Sequence, residues 1–359
     1  MITLFLGDIC PTKASNELFA EGDTNTLFAD TVPLFHNSDF SCANLECAIT
    51  ESDGAITKFG PNLKAPLATA KVLADLKLTL ASISNNHVFD FGRQGALDTI
   101  KYLAEAGIDY TGFGDNYENS RKNYTFEKDG EKICVVAVCE HEYSYALDDR
   151  MGSRPFDEFE TIEDVRRAKE THDRVIVLYH GGKEHCRYPS PRLMRACRAM
   201  VRNGADLVLC QHSHCIGVFE EYMGGHIVYG TGNFHFLKQV DKEGWKTGLA
   251  VIYDTKKNSV EFIPVRETDT GIALAKGEDK ETILREFYAR SAEKDSWQNG
   301  WHEFCLSVQA GYKRNIARAG HADSTDVDNA VFGHYLDCEA HTDVWRELFP
   351  TYNATNERD

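Results

Sequence analysis

Six positions in this chain carry side chains that bind metal ions, and each follows a short apolar run: Asp8, Glu46, Asn86, His180, His212 and His214. The runs are residues 2–6, 40–45, 78–83, 175–179 and 205–210. Short apolar runs bounded by turn residues read as buried strands, and open α/β sheets keep their sites at the carboxyl ends of their strands. Imidazole nitrogens with carboxylate and carboxamide oxygens make a mixed donor set that suits Mn, Fe or Zn. A strand running on through His212-Ser213-His214 would aim both rings at one volume, because side chains two apart share a face. The chemistry implied is a site for one or two divalent transition metal ions. Singly, each residue also fits a turn, loop or surface role. Their shared position after strands favours a common site.

Other residues nearby suit supporting work. His87 adjoins Asn86 and so points elsewhere, where an imidazole can deliver a proton. Gly181 and Gly182, after His180, let backbone pass close to a ligand, and Gly230-Thr231-Gly232-Asn233 forms a second Gly-rich turn. Lys58, Lys64, Lys183, Arg187 and Arg192 could bind an anion or be solvated surface charges.

These residues need a scaffold. Besides the five strands, the pattern predicts helices over 28–35, 68–76, 94–106, 162–171 and 193–202. It also predicts strands at 108–111 and 227–229, and a hairpin of 124–127 with 132–139 turned at Asp129-Gly130. Residues 140–157 read as an irregular rim loop, and 248–253 with 259–265 as a closing antiparallel pair. Beyond 265 the periodicity becomes helical, at 281–288, 297–319, 328–341 and 344–349. That tail reads as a helical cap, with a lid or dimerisation element as the alternative. His302, His321, His334 and His341 lack ligand spacing and are expected at the surface.

Composition narrows the function. A formal charge of -17 leaves no basic stripe to neutralise phosphates, which argues against nucleic acid as a partner. An anionic small-molecule or polymer-derived substrate remains open, since bound cations invert the local field. The 11 cysteines are odd in number and have no paired spacing, which points to a reducing compartment and not a disulfide framework. No apolar stretch reaches transmembrane length and no leader is evident, so the expectation is a cytoplasmic protein without a membrane anchor. Oligomeric state is left open.

The ordered set of motifs resembles the CapA family, named for poly-γ-glutamate capsule synthesis and related to calcineurin-like metallophosphoesterases. The residues carrying the likeness are Gly7-Asp8, Asn44-Leu45-Glu46, Asn85-Asn86-His87 with Asp90 and Gly92, and His180-Gly181-Gly182 with Glu184. Gly204-Ala205-Asp206 through His212-Ser213-His214 and Tyr229-Gly230-Thr231-Gly232-Asn233-Phe234 complete it. The resemblance implies an α/β fold, a four-layer αββα sandwich over residues 1–265, with a helical extension over 266–359 packed on it. It implies that Asp8 and His214 hold one metal, that Asn86, His180 and His212 hold the other, and that Glu46 bridges them. His87 would protonate the leaving oxygen, with Asp90 holding or tuning it. Two ions so placed supply an activated water and neutralise a phosphoryl group.

Two departures from the phosphoesterase pattern stand out. Asp8 is followed by Ile9-Cys10 where that pattern has Asp-x-His, and the bridging position is Glu and not Asp. The first metal is then short of a ligand, which Cys10, Glu184 or water could supply. Asn44, Asn233 and Arg187 are further candidates for ligand or substrate contact. The expected function is a metal-dependent, phosphoesterase-like hydrolase of capsule or cell-envelope polysaccharide or poly-γ-glutamate biosynthesis. The alternatives are a non-catalytic metal-binding accessory protein for polymer assembly, and a metallohydrolase of an amide or glycosidic bond.

Overall fold

The computed structural model describes residues 1–140 and 142–350. The chain opens with β1 (Ile2–Ile9), buried at all but its first residue. β2 (Phe40–Leu45), β3 (Leu80–Ser82) and β4 (Asp109–Thr111) add to it in parallel. Strands covered on both faces need largely apolar sequence, which is why β1, β2 and β3 do not alternate, while the edge strand β4 is exposed at Asp109 and Tyr110.

The chain then builds a second sheet. β5 (Tyr124–Lys128) and β6 (Glu131–Cys139) form the expected hairpin. Its Asp129-Gly130 turn has positive φ at both residues, 54° and 77°, the geometry that suits strand twist in a two-residue loop. β7 (Arg174–His180) and β8 (Leu207–Gln211) extend it in parallel, and β9 (Phe219–Tyr222) with β10 (Gly225–Val228) closes that edge. The chain returns to the first sheet as β11 (Asn233–His235), β12 (Thr247–Asp254), β13 (Ser259–Glu267) and β14 (Ile272–Leu274). The sheet orders are β14-β13-β12-β1-β2-β3-β4, with β11 beside the end of β1, and β9-β10-β8-β7-β6-β5.

Side-chain alternation makes the layers. Phe5, Cys42 and Leu80 of the first sheet meet Val135, Ile176, Leu178, Leu207 and Leu209 of the second in one core. Leu4, Leu6, Ala43 and Ala81 face outward onto Val72 and Leu73 of α1 (Thr69–Asp75) and Ala96 and Leu103 of α2 (Gly92–Glu105). Val136, Val177 and Val208 face the other way, onto Val165 and Ala168 of α3 (Glu158–Thr171) and Leu193, Cys197 and Met200 of α4 (Pro191–Arg202). The result is helix, sheet, sheet, helix. Each fully buried Val, Leu or Phe contributes about 1.5–3 kcal/mol to that stack.

Later helices pack on this body. α5 (Gly277–Ala292) inserts Phe287 into the core between the sheets. α6 (Trp297–Ala319) places Trp297 against the α3–α4 core, while its remainder shares a separate cluster with α7 (Asp326–Asp337), α8 (Glu339–Leu348) and Cys186. Among the described residues no helix is long and apolar enough to cross a membrane.

Three local expectations fail for identifiable reasons. The helix expected over 28–35 is two short helices, Thr24–Phe28 and Val32–His36, joined by a 3-10 turn. Pro33 is tolerated only in a first helical turn, so the second helix must start beside it. The helix expected over 328–341 breaks at Cys338, whose extended backbone caps α8. His341, expected at the surface, is buried, with its Nδ1 against the Tyr312 hydroxyl and its ring stacked on Tyr335 at 4.7 Å.

Gly7 shows how the strands reach the site. A Cβ there would stand 1.9 Å from the Gly232 carbonyl oxygen, and that close approach lets Asp8 pair in register with Asn233. Gly7→Ala is expected to lower the urea midpoint by the equivalent of about 1–3 kcal/mol or more. Gly333→Ala, inside α7 with nothing within 4 Å of the added Cβ, should raise it by about 0.5–1 kcal/mol.

Candidate metal centre

Parallel strands of both sheets end at one place and deliver their terminal residues there. Glu46 follows β2 and is fully buried, and neither of its carboxylate oxygens has a hydrogen-bond donor. Its Oε1 lies 3.4 Å from His180 Nε2, 3.8 Å from His214 Nε2 and 3.9 Å from His212 Nδ1. Three groups of potential ligand atoms, each within 4.8 Å, overlap here: Glu46-His180-His212, Asp8-Glu46-His214 and Glu184-His212-His214. Ligands bonded at about 2.0–2.2 Å to a common ion stand roughly 3–3.5 Å apart, so the spacing fits a cation among them. Asn86 places its Oδ1 2.8 Å from His180 Nε2, on the same side.

The two histidines after β8 do not continue the strand, contrary to the extended His-x-His expectation. β8 stops at Gln211, and His212 and His214 adopt left-handed backbone with φ of 81° and 52°. His185 joins them at 64°. Non-glycine residues in this region carry strain of about 1–3 kcal/mol and cluster at functional sites. Convergence of the two rings is thus a product of loop conformation and not of strand periodicity.

A layer of carboxamides holds the ligands. Asn44 donates to Asp8 Oδ1 at 2.8 Å and contacts His180 Nδ1 at 3.2 Å. Asn85 donates to Asn44 Oδ1 at 3.0 Å and accepts the His87 and Val88 amides. Asn233 donates to the Trp245 carbonyl, which leaves its Oδ1 facing His214 Nδ1 at 2.9 Å. His214 therefore donates from Nδ1 and turns Nε2 toward Glu46; a second partner that fixes the tautomer in this way is characteristic of metal-binding histidines.

The electrostatics of the cluster favour positive charge. Burial, then the charge of Asp8, pushes the Glu46 carboxyl well above its ordinary range. Burial works against charge on His214, but Glu46 and Asp8 outweigh it and hold the imidazole up at about 9. Burial pushes His180 down to about 4. At neutral pH the cluster retains protons that a cation would displace.

Beside it sits a second constellation. His87 Nδ1 lies 2.6 Å from Asp90 Oδ2 and 3.1 Å from Lys58 Nζ. Lys58 is buried and also pairs with Asp90 Oδ1, and the Leu63 amide donates to Asp90 Oδ2 at 2.7 Å. Nδ1 is thus occupied, and Nε2 is the nitrogen left to face a substrate. Burial, then the Lys58 charge, holds the His87 imidazole below its ordinary range.

The geometry sorts the sequence candidates. Asp8, Glu46, Asn86, His180, Glu184, His212 and His214 come together, with Asn44 and Asn233 behind them. Cys10 lies near Glu46 but joins none of the ligand groups: its thiol donates to the Pro11 carbonyl and adjoins Cys47. Arg187 instead lines a cavity of about 260 Å³ with Arg266, Arg290 and Glu243 and sits 3.9 Å from Glu286. A surface cavity of about 760 Å³ beside Tyr110 and Arg121 contains no ligand residue. Sequence reasoning named Asn85 and Lys58 without their roles and missed Trp245, whose ring lies 4.4 Å from that of His214. It also missed Glu140, although this carboxylate follows the apolar run of β6 as the ligands follow theirs.

Metal binding should therefore be proton-linked. Lowering pH below about 9 fills His214 with the proton that competes with a cation. Manganese or zinc affinity is expected to fall as pH drops from 8 to 6, with proton release visible by titration calorimetry in buffers of different ionisation enthalpy. Glu46→Gln should cut affinity by at least about tenfold.

Comparison with known proteins bears on the same residues. A family model described as bacterial capsule synthesis protein PGA_cap matches residues 3–238. The chain is 29% identical over 273 residues to the capsule biosynthesis protein CapA of Bacillus anthracis, covering 72% of this chain and 65% of that protein, just under two thirds of its length. It is 28% identical over 304 residues to the PGA biosynthesis protein CapA of Bacillus subtilis strain 168, covering 81% of this chain and 77% of that protein. A hypothetical protein from Thermus thermophilus superposes with a TM-score of 0.49 at 13% identity, covering 75% of this chain and 100% of the other.

Proposed function

The chain belongs to the bacterial capsule synthesis protein family, PGA_cap, and from that premise we propose a metal-dependent hydrolase of a phosphoester or similar anionic bond, serving envelope-polymer biosynthesis. The observation that carries the proposal is Glu46, a buried carboxylate with no donor on either oxygen, faced by three histidines. An apolar interior does not hold such a group without a compensating cation or proton.

In this reading Asp8, His214 and Glu184 would hold one divalent ion and Asn86, His180 and His212 a second, with Glu46 a ligand available to either. Manganese, iron and zinc all suit the donor set. Such ions supply charge neutralisation and an acidified water when bound. The protein's own residues do the rest. Asn44 and Asn233 keep the ligand orientations fixed, so little reorganisation accompanies substrate binding. His87 delivers a proton from Nε2 to the leaving oxygen, while Asp90 accepts from Nδ1 and Lys58, paired with Asp90, holds that carboxylate in place. Lys58 also balances the Asp90 carboxylate, so the pair adds no net charge beside the substrate. The names of the two Bacillus relatives support the link to capsule and PGA biosynthesis.

The test is hydrolysis of bis-p-nitrophenyl phosphate and p-nitrophenyl phosphate with added manganese, run beside elemental analysis. His87→Ala is expected to lower kcat by about 10²–10⁴-fold with metal content unchanged. Full metal content without turnover on either ester, with any divalent ion, would support an accessory protein in polymer assembly instead.

A further inference from the structure

The C-terminal helices reach the metal centre through a line of buried charges. Glu140, directly after β6, is fully buried. Its Oε1 accepts the Gly182 amide at 2.6 Å, and its Oε2 accepts Arg192 Nη2 at 2.9 Å and the Tyr179 hydroxyl. Arg192, on α4 and also buried, donates from Nε to Asp343 Oδ2 on α8 at 2.9 Å. The same oxygen accepts the Ser190 hydroxyl at 2.6 Å. Glu140 additionally packs so tightly on Gly181 that a Cβ there would stand 2.3 Å from its Cγ. The loop gripped in this way follows His180 immediately and leads to Glu184.

We propose that Asp343, Arg192 and Glu140 form a positioning relay, through which α8 sets the placement of His180 and Glu184 and hence the metal affinity of the centre. The inference rests on the metal-centre reading above. A buried guanidinium requires its carboxylates. With Asp343 neutralised, Glu140 is the one charged acceptor hydrogen-bonded to Arg192 among the described residues, and its carboxylate turns toward the guanidinium and away from the Gly182 amide. No relay residue belongs to the ligand set, so all three act by orienting the loop that carries it. Outer partners of this kind typically govern affinity as strongly as they govern ligand geometry.

Cobalt titration of the full-length chain, followed by visible absorption beside thermal melting, tests this. Asp343→Asn is expected to weaken cobalt binding by about 10–100-fold and to alter the band shape. Val344→Ala, which opens a cavity in the same helix without touching the relay, should lower the melting midpoint and leave cobalt affinity at the wild-type value. Arg192→Lys keeps the charge but reaches one carboxylate at a time, so it should weaken binding in the same direction; it serves if Asp343→Asn does not fold. Folded Asp343→Asn with wild-type affinity overturns the relay and leaves the metal centre standing. Equal weakening by Val344→Ala also overturns it, since general packing would then suffice. A wild-type chain that binds no cobalt overturns the metal centre, and the relay with it.

Discussion

Burying a carboxylate without a donor is among the costliest things a protein interior can do, and Glu46 is in that position. Its surroundings make sense as a response. His180, His212 and His214 stand within 4 Å of one carboxylate oxygen, and Asp8 adds a second negative charge close by. Burial raises the proton affinity of Glu46, repulsion from Asp8 raises it further, and the two carboxylates together raise that of His214. A divalent cation relieves that repulsion more completely than a proton, because it carries two charges and accepts several ligands at once. The fold brings strand ends of two separate sheets to this point, and the centre forms only when both are in place.

The supporting shell shows where stability has been given up for geometry. Two left-handed histidines are held against their backbone preference, Asn44 and Asn233 spend hydrogen bonds on neighbouring ligands, and Asn85 holds Asn44. Close backbone contacts at Gly7, Gly232 and Gly248 leave no room for side chains where β1, the 230–232 turn and β12 meet. These features are mutually dependent. Widening that junction would separate Asp8 from Asn233, and with it would go the hydrogen bond that orients His214. Rigid strand ends and short loops therefore carry the geometry that longer, looser loops could not.

His87, Asp90 and Lys58 form a compact unit beside the ligands. The carboxylate lies between imidazole and ammonium, so each charge has a partner inside the protein. The Lys58 ammonium further lies 5.9 Å from the Tyr143 ring, whose hydroxyl contacts the Ala330 carbonyl of α7. The C-terminal helices thus border the centre at two places, at this lysine and at the Glu140 loop. Trp301, Tyr312 and Tyr335 of these helices share a core of their own. Its consequence for the centre lies in a few charged residues at its margin.

What the sequence determined by itself was local and periodic. Apolar runs placed the parallel strands within a few residues, the Asp129-Gly130 dipeptide placed a hairpin turn, and Asp8, Glu46, Asn86, His180, His212 and His214 were identifiable because each came after an apolar run. Period and turn chemistry act over a handful of residues, so they survive without knowledge of the rest of the chain. Tertiary structure alone decided the contacts between distant segments. The pairing of Lys58 with Asp90, the placement of Cys10 beside Cys47 and of Arg187 in a separate cavity, and the reach of Asp343 across 151 residues to Arg192 have no signature in spacing. Even the convergence of His212 and His214 came from left-handed backbone and not from the period of a strand. Such choices depend on which buried charge finds which partner, and that is settled only when the layers close.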